Sequence, residues 1–425
     1  DERRDVFESL EYLKYDNEWF MSVDMDELNK EKIKIETYVC KKILGLKWKI
    51  RCLRICSKER RCVICKVISH RKWMDKDKIS IWGYDFCVTD NCVYVFHGNM
   101  NALFKIDLQY DIVTYMTGIN FETFRRKALY LAMKCFDNRI YFFPYNAENI
   151  ACYDIKTNQT RKILKFDGKI VDVIGSGRYV YLMPSKACQP IIKFDMQTES
   201  CIKEIYINGD SKELQNYFND TCYMEEGVYA GIVDPANILC IFDSRDDSTR
   251  VVNILNADDI YSSIEYYDGY IYAMGNRKYS IAKIDPKCGE IVEKYMLFDD
   301  YGRFVGRIQD EIIVDMVRRQ DICTFNCISK EKFRYLPESE RNEPDSRYYQ
   351  SYYGIFKRID DFNVCYLNRY DNTLTLYCKN KKSKKIKLEM SYADITKLRK
   401  YVVENMETYE DEGDLLRLDD YLEYL

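Results

Sequence analysis

Histidine is almost missing from this sequence: only His70 and His97 occur in 425 residues. That leaves no His cluster for a metal centre and little scope for a His-based proton relay. A Walker loop, a Gly-x-Ser-x-Gly nucleophile elbow and a dinucleotide Gly-x-Gly-x-x-Gly are likewise missing, so the common phosphate-cradling and acyl-transfer chemistries have no signature here. No apolar run approaches the roughly 18 residues needed to span a bilayer. The opening Asp1-Glu2-Arg3-Arg4-Asp5 lacks the apolar stretch of a signal peptide. A formal charge of −4 gives the molecule as a whole no electrostatic reason to bind nucleic acid or an anionic membrane.

Cysteine, by contrast, is plentiful at 18 residues, and its placement decides how to read it. Most Cys alternate into strand-like runs such as Cys92-Val93-Tyr94-Val95-Phe96 and Ile150-Ala151-Cys152-Tyr153, where a reduced thiol packs as a small hydrophobe. This pattern predicts a cytosolic (cytoplasmic) protein without a disulfide framework. With 47% hydrophobic residues and 38 Tyr beside many Ile, Val and Phe, the chain is suited to pleated, half-buried surfaces.

The organising feature is an internal repeat. A turn, a β-branched/aromatic pair, a polar loop and a second apolar strand ending in Asp recur along the chain. The pairs begin at Val93, Ile140, Val180, Val228, Ile271, Ile312 and Val364, after turns at Asp90-Asn91, Asp137-Asn138, Gly177-Arg178, Glu226-Gly227, Asp268-Gly269, Asp310-Glu311 and 361–363. The next strands close on Asp107, Asp154, Asp195, Asp243, Asp285, Asn326 and Cys378, with spacings of 41 to 52 residues. That length suits four short strands and their turns, and the period-two alternation excludes a helical solenoid. The expected fold is an all-β propeller of seven or eight four-stranded blades with a C-terminal α-helical tail.

An extra unit around Tyr15-Asp16-Asn17-Glu18-Trp19 tips the expectation toward eight blades. The predicted organisation is a blade-like unit at 1–40, a basic Cys-rich insertion or degenerate blade at 41–78, seven repeats at 79–391 and an acidic amphipathic helical tail at 392–425. In that tail Ser391 can cap, Asp394 falls in the first turn, and Ile395, Leu398, Tyr401 and Val402 recur at helical spacing. The stretch Ile140-Tyr141-Phe142-Phe143-Pro144-Tyr145-Asn146-Ala147-Glu148-Asn149-Ile150, followed by Tyr153-Asp154-Ile155, resembles kelch-like bacterial β-propeller repeats. The chain departs from true kelch repeats in lacking the paired Gly and from Trp-Asp repeats in lacking that dipeptide. The resemblance implies architecture and carries over no catalytic residues.

The closing Asp residues are expected to be turn devices, because an Asp after a strand accepts bonds from backbone N–H groups two residues on. Functional candidates lie instead in the loops between second and third strands, which blade symmetry gathers on one face. They are His97, Asn99, Tyr145, Asn146, Lys186, Gln189, Asp234, Asn237, Arg277, Tyr279, Arg318, Arg319, Arg369 and Tyr370. Arg with Tyr and Asn suits an anionic or hydroxyl-rich ligand or a partner's acidic loop, against the plainer reading of a solvated rim.

One local feature stands apart. Cys52, Cys56, Cys62 and Cys65 could ligate structural zinc, although flanking alternation favours an ordinary hairpin joined at 57–60. The same stretch is basic, with Lys41, Lys42, Lys47, Lys49, Arg51, Arg54, Lys58, Arg60, Arg61, Lys66, Arg71 and Lys72 against Glu59, and could meet phosphates, an acidic partner or the chain's own acidic tail. The leading functional expectation is a non-catalytic scaffold that binds a protein or peptide on its loop face, with the C-terminal helix as a further contact. The alternatives are a carbohydrate- or nucleotide-directed enzyme or lectin with its site at the central axis, and nucleic-acid binding through residues 41–72.

Overall fold

The computed structural model describes residues 81–405 apart from 82, 90, 99, 123–127, 176, 208–212, 297–301, 317–320, 335–354, 359–362, 369–371 and 379–383; before residue 81 it describes the strands 11–15, 18–24, 53–55 and 61–64. Two compact units are distinguished, one comprising 81–122 and 127–394, the other 1–80, 123–126 and 395–425.

The larger unit holds seven four-stranded antiparallel sheets, each with its strands in chain order. These blades span 83–118, 130–165, 170–205, 217–253, 261–296, 302–334 and 355–387. The second strands predicted from the repeat are all present, for example Cys92–His97, Arg139–Pro144 and Tyr270–Gly275. The turns before them use the residues that tolerate left-handed backbone: Asp137 and Asn138 have φ of 46° and 59°, and Asp268 and Gly269 have 48° and 83°.

The closing Asp residues also do what was expected of them. Asp107, Asp154, Asp195, Asp243 and Asp285 each accept the backbone N–H two residues on, at 2.8 to 2.9 Å. Asn326 does the same at 2.9 Å, so the sixth blade keeps the device after losing the carboxylate. Four residues after each of these positions the backbone turns left-handed, at Asp111, Asn158, Glu199, Asp247, Gly289 and Lys330, with φ between 56° and 76°. At Gly289 glycine is required sterically as well as by its backbone angle, since a Cβ there would lie 1.9 Å from the Asn253 carbonyl of the preceding blade.

The core lies between blades. Tyr94, Tyr141, Tyr181 and Tyr272 of the second strands meet Tyr153, Phe194, Phe242 and Phe325 of the following blade, with ring centroids 4.7 to 6.3 Å apart. The residue before the closing position is aromatic at Tyr153, Phe194, Phe242 and Phe325, where it receives a neighbour's tyrosine, and is isoleucine at Ile106 and Ile284. Two of these hydroxyls reach further: Tyr141 donates to the Met196 carbonyl at 2.8 Å, and Tyr181 to Asp247 at 3.0 Å. Cations on outer strands then pair with the next blade's turn, as Arg161 does with Glu199 and Lys203 with Asp247.

The same device closes the ring and corrects the eight-blade expectation. Lys384, on the outer strand of the seventh blade, pairs with Asp111 in the first blade's turn at 2.6 Å. Asn372 accepts the Ile81 N–H at 2.8 Å and donates to the Leu388 carbonyl at 2.6 Å. The innermost strands of blades seven and one, Ile355–Arg358 and Gly83–Thr89, are neighbours. With blade seven joined to blade one, the propeller has seven blades and no place for an eighth.

The strands before residue 81 belong to the other unit. Glu11–Tyr15, Glu18–Asp24, Arg61–Ile64 and Leu53–Ile55 pair in that spatial order, which differs from the sequential meander of a blade. Leu53–Ile55 and Arg61–Ile64 form the antiparallel hairpin expected there, with Ile55 opposite Cys62. Cys52, Cys56, Cys65 and the Cys62 side chain lie outside the described residues. A helix, α1 (Tyr392–Asn405), follows the seventh blade, and Ser391 caps it: its hydroxyl accepts the Asp394 N–H at 3.2 Å and donates to the Asp394 carboxylate at 2.9 Å. Ile395, Leu398 and Tyr401 are buried along one side, while 406–425 lie outside the described residues.

Candidate functional site

Each blade's first strand is innermost and begins on the face that also carries the second-to-third-strand loops. Backbone bonds tie the two sets together: Tyr145 and Asn146 donate to Leu129, Ser185 to Lys169, Ala187 to Asn216 and Asn276 to Ile260. Buried carboxylates from the linkers pin the loops more firmly. Glu122 accepts the N–H groups of Glu148 and Asn149 at 2.9 and 3.0 Å, and Asp259 accepts those of Arg277 and Lys278 at 2.9 and 2.8 Å. The loop face is thus a set of rigidly held turns.

Several predicted site residues are consumed by this scaffolding. His97 is fully buried, its Nδ1 accepts the Met100 N–H at 3.1 Å, and its ring packs on Phe104. Asn146 donates to the Ala128 carbonyl, and Asn237 bridges the Asp259 carbonyl and the Tyr261 N–H. Asp234 is half-buried beside a cis bond to Pro235; burial raises its carboxyl, which accepts from Asn219 at 3.3 Å. Tyr279 takes a left-handed φ of 52°. Asn99, Arg318, Arg319, Arg369 and Tyr370 lie outside the described residues.

Four of the remainder face outward. Gln189 and Arg277 are exposed, and Tyr145 and Lys186 partly so. Two residues that the repeat did not single out join them: Lys169, in the linker to the third blade, has its Nζ 5.2 Å from the Tyr145 ring centroid, and Tyr217, 56% exposed at the start of the fourth blade, lies 5.6 Å from Lys186 Nζ. These cation–aromatic pairs run across blades two, three and four. The signal that could have found them is positional, because linker residues just before an innermost strand share the face with the loops.

Nearer the axis, the innermost strands are joined by polar side chains at or beside β-bulges. Asp85 accepts the Met133 N–H at 2.7 Å, Asp220 the Ile264 N–H at 3.0 Å, and Ser263 the Phe304 N–H at 2.9 Å; Asp172 accepts the Thr221 hydroxyl. Each bond crosses to the next blade. Burial pushes the Asp220 carboxyl up to about 7, with the nearby Asp172 charge acting in the same sense and the Arg303 guanidinium opposing both. Among the described residues no group of three or more His, Cys, Asp or Glu side chains is placed to hold a metal ion, and no helix is long and apolar enough to cross a membrane.

No protein-family model and no curated protein matches this sequence. Solved structures do match, and they are propellers. A structure of YCF48 bound to D1 peptide superposes with a TM-score of 0.52 at 10% identity, covering 71% of this chain and 94% of that one. A streptogramin B lyase gives 0.46 at 12% identity over 62% and 84% of the two chains. A mitotic checkpoint complex gives 0.43 at 8% identity over 61% and 76%. At such identity the likeness to YCF48 is one of fold, and it does not single out kelch-like repeats among propellers.

Proposed function

We propose that this chain is a non-catalytic binding or scaffold protein whose propeller engages a protein or peptide partner on its loop face. The observation that supports this reading most directly is the strip of Tyr145, Lys169, Lys186, Gln189 and Tyr217, exposed or partly so, on loops pinned by backbone bonds. Aromatic and cationic side chains held rigidly lose little conformational freedom on binding, which is what a partner-recognition surface requires. The fold accommodates such a role, as the YCF48 structure with its D1 peptide illustrates. The cytosol remains the proposed compartment, and α1 remains a proposed further contact.

The axial alternative has its carboxylates in Asp172 and Asp220, but each has an oxygen bonded to the neighbouring innermost strand, which favours a structural role. Nucleic-acid binding through 41–72 and zinc at the four Cys concern side chains outside the described residues.

Photo-crosslinking tests the leading reading. A benzoyl-phenylalanine at position 189 is expected to give a discrete crosslinked partner in cells, whereas the same group at Ile328, exposed in the turn after a third strand, gives none. Equal adducts at both positions, or none at 189, would count against it.

A further inference from the structure

We infer that the strip across blades two to four docks an acidic, extended segment of the partner protein; this rests on the loop-face reading above. Cations elsewhere in the propeller are commonly paired: Arg161, Arg178, Lys193, Lys203, Arg245, Lys278, Lys294 and Lys384 all sit within ion-pair distance of carboxylates. Lys169 and Lys186 differ. Each has its ammonium near a tyrosine ring and, among the described residues, no carboxylate within ion-pair distance. A cation over an aromatic face keeps its outward N–H groups available, and an incoming carboxylate adds a charge-assisted bond without displacing an internal partner.

The two lysines are also spaced for one ligand. Ser185, adjacent to Lys186, donates its N–H to the Lys169 carbonyl at 2.8 Å, so the two positions stand on hydrogen-bonded neighbouring segments. Tyr145 and Tyr217 flank them on the outer sides. Four side chains carried on three successive blades suit an extended segment, whose residues advance roughly 3.3 Å each. Exposed Gln189 adds a neutral donor and acceptor for the segment's backbone. Exposed Asp167, two residues before Lys169, would discourage a polyanion that offers charge everywhere and favour a segment that alternates carboxylates with neutral residues.

The full chain can be titrated, by fluorescence anisotropy, with a labelled ten-residue peptide alternating Glu and Ser, beside Gln/Ser and Lys/Ser counterparts and a single-stranded oligonucleotide of similar length. Saturable binding of the Glu/Ser probe is expected, weakening with salt, and the double variant Lys169→Gln/Lys186→Gln should lower its affinity about tenfold or more. Because neither lysine holds an internal ion pair, circular dichroism and melting should match the parent. Equal binding of the Gln/Ser probe, an unchanged affinity in the double variant, or stronger strip-dependent binding of the oligonucleotide would overturn the inference. If the crosslink at position 189 persists while the acidic probe fails, the inference falls and the loop-face reading stands; loss of both removes both.

Discussion

Asp107 shows what one carboxylate does at the residue scale. Its Oδ1 accepts the Gln109 and Tyr110 N–H groups at 2.9 and 3.1 Å, folding the chain from third strand to fourth. Asp107→Ala removes both acceptors and should cost about 1 to 2 kcal/mol. Asp107→Asn should stay within a few tenths of the parent, because Asn326 already performs this task, accepting from Ile328 and Ser329. Urea midpoints with unchanged slopes would check the contrast, and equal losses in the two variants would contradict the turn role. This device was legible in the sequence because it is local: the bonds span two or three residues, so spacing alone specifies them. The fate of His97 was not legible in the same way. Its burial depends on Phe104 and the fold of its own loop, which a solitary His in a polar stretch does not reveal.

Among elements, the innermost strands carry the least obvious chemistry. Asp220 spans two blades by accepting the Ile264 N–H, and its folded carboxyl titrates at about 7 against about 3.9 in an unfolded chain. The folded protein therefore binds more protons than the unfolded one between these values, so this group's contribution to stability increases as pH falls from 7 toward 4 and is lost as pH rises through 7. Asp220→Asn keeps an acceptor for Ile264 and removes the titration. The parent should gain stability relative to this variant on going from pH 7.5 to 5, and parallel unfolding curves across that range would refute the assignment. Below about pH 4 the sign reverses for other groups: Arg178 beside Asp195, and Lys278 and Lys294 beside Asp258, hold those carboxyls below the usual range, and their stabilisation is lost on acidification. The strands' existence followed from alternation and turns, but the bulges that aim these side chains across blades did not.

For the whole molecule, closure rests on the seam between blades seven and one. Asn372, at φ 53°, holds Ile81 and Leu388 together through its side chain. Asn372→Gly preserves the left-handed backbone while deleting both bonds, and should cost about 1 to 3 kcal/mol. Hydrogen exchange should quicken first in the Gly83–Thr89 strand and the Thr373–Cys378 strand, and exchange that rises uniformly over all blades would contradict a seam at this point.

By itself the sequence determined the strands, the turns, the closing Asp device, the Ser391 cap and the propeller class, because each is written in spacing between residues close in the chain. Only the tertiary structure decided that there are seven blades, that the strands before residue 81 pair in a different order, and which loop residues face outward. Those outcomes depend on contacts between residues far apart in the chain, such as Lys384 with Asp111 or Lys186 with Tyr217, where the repeat pattern carries no information about which partners meet.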